Sequence, residues 1–115
     1  MIADIAVALV ALLHAWFLVL EMFLWDKPFG RRTFGLTPEF ATASRRLAAN
    51  QGLYNGFLAA GLVWGLTLGA AGNPVKIFFL ACVIAAGVFG GFTASRKILL
   101  VQALPGAIAL ALLLW

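Results

Sequence analysis

The chain has 115 residues, of which 64% are hydrophobic and 10% are charged, and its formal net charge is +4. A soluble domain has about 25% charged and about 45–50% apolar residues, so this composition excludes an ordinary water-soluble surface and predicts a membrane protein. The basic residues flank hydrophobic segments instead of lining one polar face, which excludes nucleic acid as a partner and favours anionic lipid headgroups. The length indicates one domain, residues 1–115.

The first predicted membrane span covers residues 2–25. A spanning helix needs about 20 mostly apolar residues, and here only Asp4, His14 and Glu21 interrupt the apolar run. Trp25 stands at the end of the run, where an interfacial aromatic anchor is expected.

A basic loop, residues 26–46, is predicted next because it contains two prolines, two glycines and most of the charge. Within this loop, Thr37-Pro38-Glu39 predicts the start of a short interfacial helix, with Thr37 as N-cap and Pro38 in the first helical position. That helix is expected to continue into the second span.

Three further spans are predicted at residues 47–71, 75–94 and 98–115. Gly72-Asn73-Pro74 forms the turn between the second and third spans, and Ser95-Arg96-Lys97 forms the turn before the fourth. The segments are too long for barrel strands and lack alternating polarity. The predicted fold is therefore all-α, a four-helix transmembrane bundle.

The basic residues predict the orientation of this bundle, because Lys and Arg accumulate on the cytoplasmic side. The first and third loops lie on the same side and contain seven basic residues, whereas the other side has only Lys76. Both termini are therefore predicted to lie on the non-cytoplasmic side of a plasma membrane.

The polar side chains of the spans fall mostly in the cytoplasmic half. Glu21 lies about 6 Å inside the end of the first span, and His14 shares its helix face two turns away. The other polar residues near this level are Asn50, Gln51, Tyr54 and Asn55 in the second span and Gln102 in the fourth. Turning these residues inward predicts a cytoplasm-facing polar pocket around Glu21.

Two interpretations of this polar cluster stay open, because membrane helices also use amides and tyrosine as interhelical hydrogen bonds. In the first, the cluster binds a ligand, and basic residues at its mouth attract anions or lipids; these are Arg45, Arg46, Arg96 and Lys97. In the second, the amides are structural and Glu21 forms an ion pair with Arg45 or Arg46. No second His or Cys stands at metal-ligand spacing from His14, so no metal site is predicted, and the sequence indicates no cofactor.

Glycines recur at four-residue spacing, which lets membrane helices approach closely. The repeats are Gly52–Gly56, Gly61–Gly65–Gly69 and Gly87–Gly91. Because four short helices do not need all of these faces internally, a homo-oligomer is predicted.

Several segments resemble a bacterial family of small integral membrane proteins, catalogued as domain of unknown function number thirteen-hundred-and-four. They are Leu20-Glu21-Met22-Phe23-Leu24-Trp25, Phe34-Gly35-Leu36-Thr37-Pro38-Glu39-Phe40, Ala48-Ala49-Asn50-Gln51-Gly52-Leu53-Tyr54-Asn55-Gly56-Phe57-Leu58-Ala59 and Ser95-Arg96-Lys97-Ile98-Leu99. The resemblance implies four spans in a bacterial inner membrane and no known activity.

A shorter segment is similar to the membrane-associated eicosanoid and glutathione metabolism proteins, which are also four-span bundles. Arg46 and Asn50 match their pattern, whereas Leu53 stands where those proteins have a glutathione-contacting Glu. Three functions therefore remain: a bundle that binds a small molecule or ion, as a transporter or accessory subunit; a glutathione-transferase-like enzyme; and a structural subunit of a larger membrane complex.

Overall fold

The computed structural model describes residues 1–115, and it confirms the all-helical class, with no strands. Five α-helices follow one another along the chain: α1 (Ile2–Met22), α2 (Pro28–Phe34), α3 (Pro38–Thr67), α4 (Asn73–Thr93) and α5 (Leu104–Leu114). A 3₁₀ turn (Gly69–Gly72) precedes α4, and a π-helical turn (Leu99–Ala103) precedes α5. Two segments, Ile2–Met22 and Gly69–Thr93, are long and apolar enough to cross a membrane, and Leu99–Leu114 is a shorter apolar helix.

The predicted start of a helix at Pro38 is confirmed. Helix α3 begins there, and the Phe40 backbone N–H donates a hydrogen bond to Thr37 Oγ1 at 3.2 Å. This is the hydrogen bond that the side chain of an N-cap residue accepts. The loop prediction for residues 26–46 was incomplete, because α2 forms inside it. Pro28 stands in the first turn of α2, and Gly35 ends the helix with a φ of 65°, a left-handed conformation that glycine adopts readily.

Helix α3 ends at Thr67, before the predicted end of the second span at residue 71. The cause is local, because Gly69 has a φ of 62° and starts the 3₁₀ turn. At Gly72 the chain passes very close to α3: a Cβ atom there would lie 1.9 Å from the Gly65 carbonyl oxygen. Gly72 therefore permits the tight return of the chain into α4.

The π-helical turn at Leu99–Ala103 lies directly before Pro105. Proline lacks a backbone N–H and interrupts regular helical hydrogen bonding, and a wide turn is one way in which a helix accommodates such an interruption. Helix α4 approaches this turn closely, since a Cβ atom on Gly87 would lie 2.6 Å from the Ala103 backbone nitrogen.

The chain forms two compact units, one of residues Met1–Leu12 with Leu58–Trp115 and one of residues Leu13–Phe57. The first unit has a core of fully buried apolar side chains from α1, α3, α4 and α5, namely Val7, Val10, Ala11, Leu62, Leu80, Val83 and Ala109. The second unit comprises the end of α1, the whole of α2 and the first two-thirds of α3.

All of the repeated glycines except Gly69 lie against other parts of the same chain. In the first unit, Gly61 lies against the Phe79 ring and Gly65 against the Lys76 side chain; in the second, Gly52 and Gly56 lie against α1. The sequence argument for a homo-oligomer assumed free glycine faces, and these faces are occupied within the monomer. The homo-oligomer itself stays a prediction.

Candidate functional site

The centre of the candidate site is the pair Glu21 and Asn55, which lie on α1 and α3 within the Leu13–Phe57 unit. Asn55 Nδ2 donates a hydrogen bond to Glu21 Oε1 at 2.5 Å. Gly52 makes this approach possible, because a Cβ atom there would lie 3.0 Å from Glu21 Cβ and 2.7 Å from Met22 Cγ. Asn55 is buried and Glu21 is half-buried. The structure thus places a carboxyl group beside a neutral amide between two closely packed helices.

The remaining members of the predicted stripe on α3 are not buried with Asn55. Asn50, Gln51 and Tyr54 are all exposed, and the Tyr54 ring lies edge-on to Phe57 at 6.0 Å between centroids. The expectation that the whole stripe turns inward was therefore wrong for these three residues. The reason is geometric: Gly52 and Asn55 define the face of α3 that packs against α1, and the other polar residues point elsewhere.

The predicted ion pair between Glu21 and Arg45 or Arg46 does not form. Arg45 Nη1 instead lies 3.5 Å from Asp26 Oδ2, and Arg46 is exposed. Glu21 takes part in neither of the two salt bridges of the structure. Asp26 follows α1 directly and is the carboxylate within reach of Arg45, so it takes the place that the sequence argument gave to Glu21.

His14 lies in the same unit as Glu21 and is fully buried. Its ring packs edge-on to Phe17, with 5.2 Å between ring centroids. The structure contains no group of three or more His, Cys, Asp or Glu side chains that could hold a metal ion.

Three other predicted site residues, Gln102, Arg96 and Lys97, belong to the first compact unit. Gln102 lies in the π-helical turn, is half-buried, and its Nε2 donates to the Val83 carbonyl oxygen at 3.4 Å. Arg96 and Lys97 are exposed in the turn after α4.

Lys76 is a buried charged residue that the sequence analysis did not select. It is 1% exposed, and its Nζ atom lies 2.9 Å from Asp4 Oδ1 and 3.3 Å from both the Gly69 carbonyl oxygen and Asn73 Oδ1. Three acceptors thus match the three donors of the ammonium group. The sequence did contain a signal for this pair. Asp4 lies at the predicted non-cytoplasmic end of the first span, and Lys76 lies at the same end of the third.

Comparison with known proteins identifies the family. A family model described as "Protein of unknown function (DUF1304)" matches residues 8–114. The chain belongs to this family. It is also 30% identical over 96 residues to "Uncharacterized protein YpaA" of Lactococcus lactis subsp. lactis (strain IL1403), a match that covers 82% of this chain and 81% of that protein. No solved structure matches the chain.

For this DUF1304 member, the Glu21–Asn55 pair is the arrangement with the clearest chemical capacity. A carboxyl group can exchange a proton, and carboxylate and amide oxygens are the ligands that hard cations prefer. Arg46 and Asn50, on which the predicted similarity to the glutathione metabolism proteins rests, lie exposed on α3 with Leu53, which is 41% exposed. They form no enclosed group around a common centre.

Proposed function

We propose that this protein crosses the bacterial inner membrane four times and binds a proton or a small cation at Glu21. The membrane location is supported by the exposure of its most apolar helices. In the most apolar 18-residue stretch of Ile2–Met22, only 22% is buried inside the structure, and in that of Gly69–Thr93 only 28% is buried. A core helix of a soluble protein is mostly buried, and large exposed apolar surfaces indicate an apolar environment or partner.

The second and fourth spans are proposed on helix length and composition. Helix α3 has 30 residues, which gives it a length of about 45 Å, more than the hydrocarbon core of about 30 Å. Its second half is apolar and contributes Leu62 to the buried core. The segment Leu99–Leu114 is apolar and continues through the π-helical turn into α5. The orientation, with the basic loops in the cytoplasm, follows from the distribution of Lys and Arg.

The ion-binding proposal is carried by one observation: the Glu21 carboxyl group, on a helix apolar enough to span a membrane, has a neutral hydrogen-bond partner. Ionisable groups inside membrane spans are costly, and they normally have a charged partner or mark an ion or proton pathway. Since the two salt bridges of the structure do not include Glu21, a proton or a bound cation is the simplest way to neutralise it. The Asn55 amide donates a hydrogen bond to the carboxyl group and carries no charge that could neutralise it.

Thermal unfolding of the purified protein in detergent tests this proposal. Sodium, potassium and lithium chloride are compared with choline chloride at equal ionic strength, and a pH series in choline chloride tests the proton. A cation present at 100 times its Kd stabilises the folded state by about 2.7 kcal/mol. We expect one cation, or the proton, to raise the Tm of the wild type and to lose this effect in Glu21→Gln.

Glu39→Gln is the matched control. Glu39 is exposed in the first turn of α3, and its substitution by Gln removes the same charge as Glu21→Gln does. It should respond as the wild type does. If wild type, Glu21→Gln and Glu39→Gln respond identically to every cation and across the pH series, Glu21 is not the binding group and the proposal is wrong.

A further inference from the structure

Exposed aromatic and basic side chains occur in α2, directly before it and in the first turns of α3. Phe29, Phe34 and Phe40 are 47%, 40% and 57% exposed. The basic residues Lys27, Arg32 and Arg46 are also exposed. We call these six residues the α2 surface; all of them belong to the Leu13–Phe57 unit.

Helix α2 packs against the turn that follows α1. Gly30 is buried, and a Cβ atom there would lie 1.8 Å from the Leu24 carbonyl oxygen. The Trp25 ring packs on Phe34 with 4.8 Å between centroids, and its Nε1–H donates to Ser44 Oγ at 2.9 Å. Trp25 therefore joins α2 to the beginning of α3, so that the α2 surface is fixed in place.

The charges of this region are unevenly compensated. Asp26 accepts from two arginines, through its side chain from Arg45 at 3.5 Å and through its main-chain oxygen from Arg31 at 3.2 Å. Neither salt bridge of the structure includes Lys27, Arg32 or Arg46. Three exposed cationic groups in this stretch of the chain thus have no salt-bridge partner in the structure.

We propose that the α2 surface binds the phosphate groups of anionic lipids, with its phenylalanine rings at the level of the headgroups. Helices that lie in the membrane interface bury apolar side chains such as phenylalanine at the boundary between headgroups and acyl chains, and basic residues near the membrane surface are attracted to anionic lipids. Charge complementarity selects this occupant, because the surface offers cations and apolar rings together. The inference rests on the membrane location proposed above and does not depend on Glu21.

Trp25 provides a local probe for the test, because it packs on Phe34 within α2. The probe protein contains Trp25 as its only tryptophan, after Trp16→Phe, Trp64→Phe and Trp115→Phe. It is reconstituted into vesicles of phosphatidylcholine and phosphatidylglycerol in which either one or the other lipid is brominated. We expect brominated phosphatidylglycerol to quench Trp25 more strongly than brominated phosphatidylcholine at the same mole fraction.

Two variants of the probe protein identify the groups responsible. Neutralising the surface with Lys27→Gln, Arg32→Gln and Arg46→Gln should lower the relative affinity for the anionic lipid at least about fivefold, since each basic residue contributes about that factor. The control, Glu39→Gln, removes an exposed charge of the opposite sign in the first turn of α3 and should not weaken the preference of Trp25 quenching for the anionic lipid. Circular dichroism verifies that all variants keep the same helical content.

The outcomes separate this inference from the proposed function. Equal quenching of Trp25 by the two brominated lipids would contradict lipid selection at the α2 surface and leave the membrane location intact. The same preference in the neutralised variant would contradict the role of the three basic residues. No quenching by either lipid would contradict both this inference and the membrane location.

Discussion

Lys76 and Asp4 form an ion pair that joins the beginning of α4 to the first turn of α1. The two groups lie 2.9 Å apart, and the Lys76 side chain is 2% exposed whereas that of Asp4 is 53% exposed. Lys76 also donates to Gly69 and Asn73, each at 3.3 Å. A buried ammonium group is therefore neutralised by a carboxylate at the surface, and both belong to the same compact unit.

Asp4→Asn should lower the thermal stability of the protein, because it leaves Lys76 buried without a carboxylate. The measurement is the Tm in detergent, with Glu39→Gln as the control for loss of an exposed acidic group. We expect a clear fall for Asp4→Asn and little change for the control. Equal Tm values for the two variants would show that the ion pair does not hold α1 and α4 together.

Gly87→Ala should destabilise the folded state by about 1–3 kcal/mol, the usual effect of forcing extra volume into a packed interior. The new Cβ atom would lie 2.6 Å from the Ala103 backbone nitrogen, where no flexible side chain can give way. Unfolding in increasing concentrations of a denaturing detergent measures the difference.

Gly90→Ala is the matched control on the same helix, since its nearest neighbour is an Ile98 side-chain atom at 3.2 Å. Alanine is the better helix former, so this variant should change stability by less than about 1 kcal/mol. A loss in Gly90→Ala as large as that in Gly87→Ala would mean that the close backbone approach at the π-helical turn is not the cause.

Leu62→Ala should cost about 2–5 kcal/mol, because removing a buried leucine side chain leaves a cavity in a packed core. Leu62 is fully buried, whereas its neighbour Val63 is 48% exposed. Val63→Ala should therefore have a much smaller effect in the same unfolding measurement. Similar losses for both variants would contradict the assignment of Leu62 to the core.

The sequence was sufficient for the features that depend on composition and local chemistry. The apolar runs predicted helices, and Thr37-Pro38 predicted the start of α3. The spacing of Asn55 on the second predicted span also placed it correctly near Glu21. These features follow from residue types whose preferences hold in many contexts, such as proline in a first helical turn.

Other features depended on which side chain reaches which neighbour. The sequence analysis paired Glu21 with Arg45 or Arg46, whereas the path of the chain after α1 brings Asp26 to within 3.5 Å of Arg45. The glycine repeats correctly indicated close packing, but they do not specify which element packs there. In the structure, Phe79 packs against Gly61 and Lys76 packs against Gly65, both within the same chain. Helix α2 escaped prediction because its seven residues include a glycine, and its docking on Leu24 stabilises it.

In the proposed topology, the chain crosses a membrane four times with its basic loops in the cytoplasm. Labelling single cysteines with a membrane-impermeant maleimide tests it most directly, in a Cys82→Ser background with Ala43→Cys, Ala70→Cys, Ala94→Cys or Trp115→Cys, all at exposed positions. In spheroplasts with an intact inner membrane, the cysteines at positions 70 and 115 should react. Those at positions 43 and 94 should react only after permeabilisation. The opposite pattern, or equal reaction at all four positions before permeabilisation, would contradict this topology.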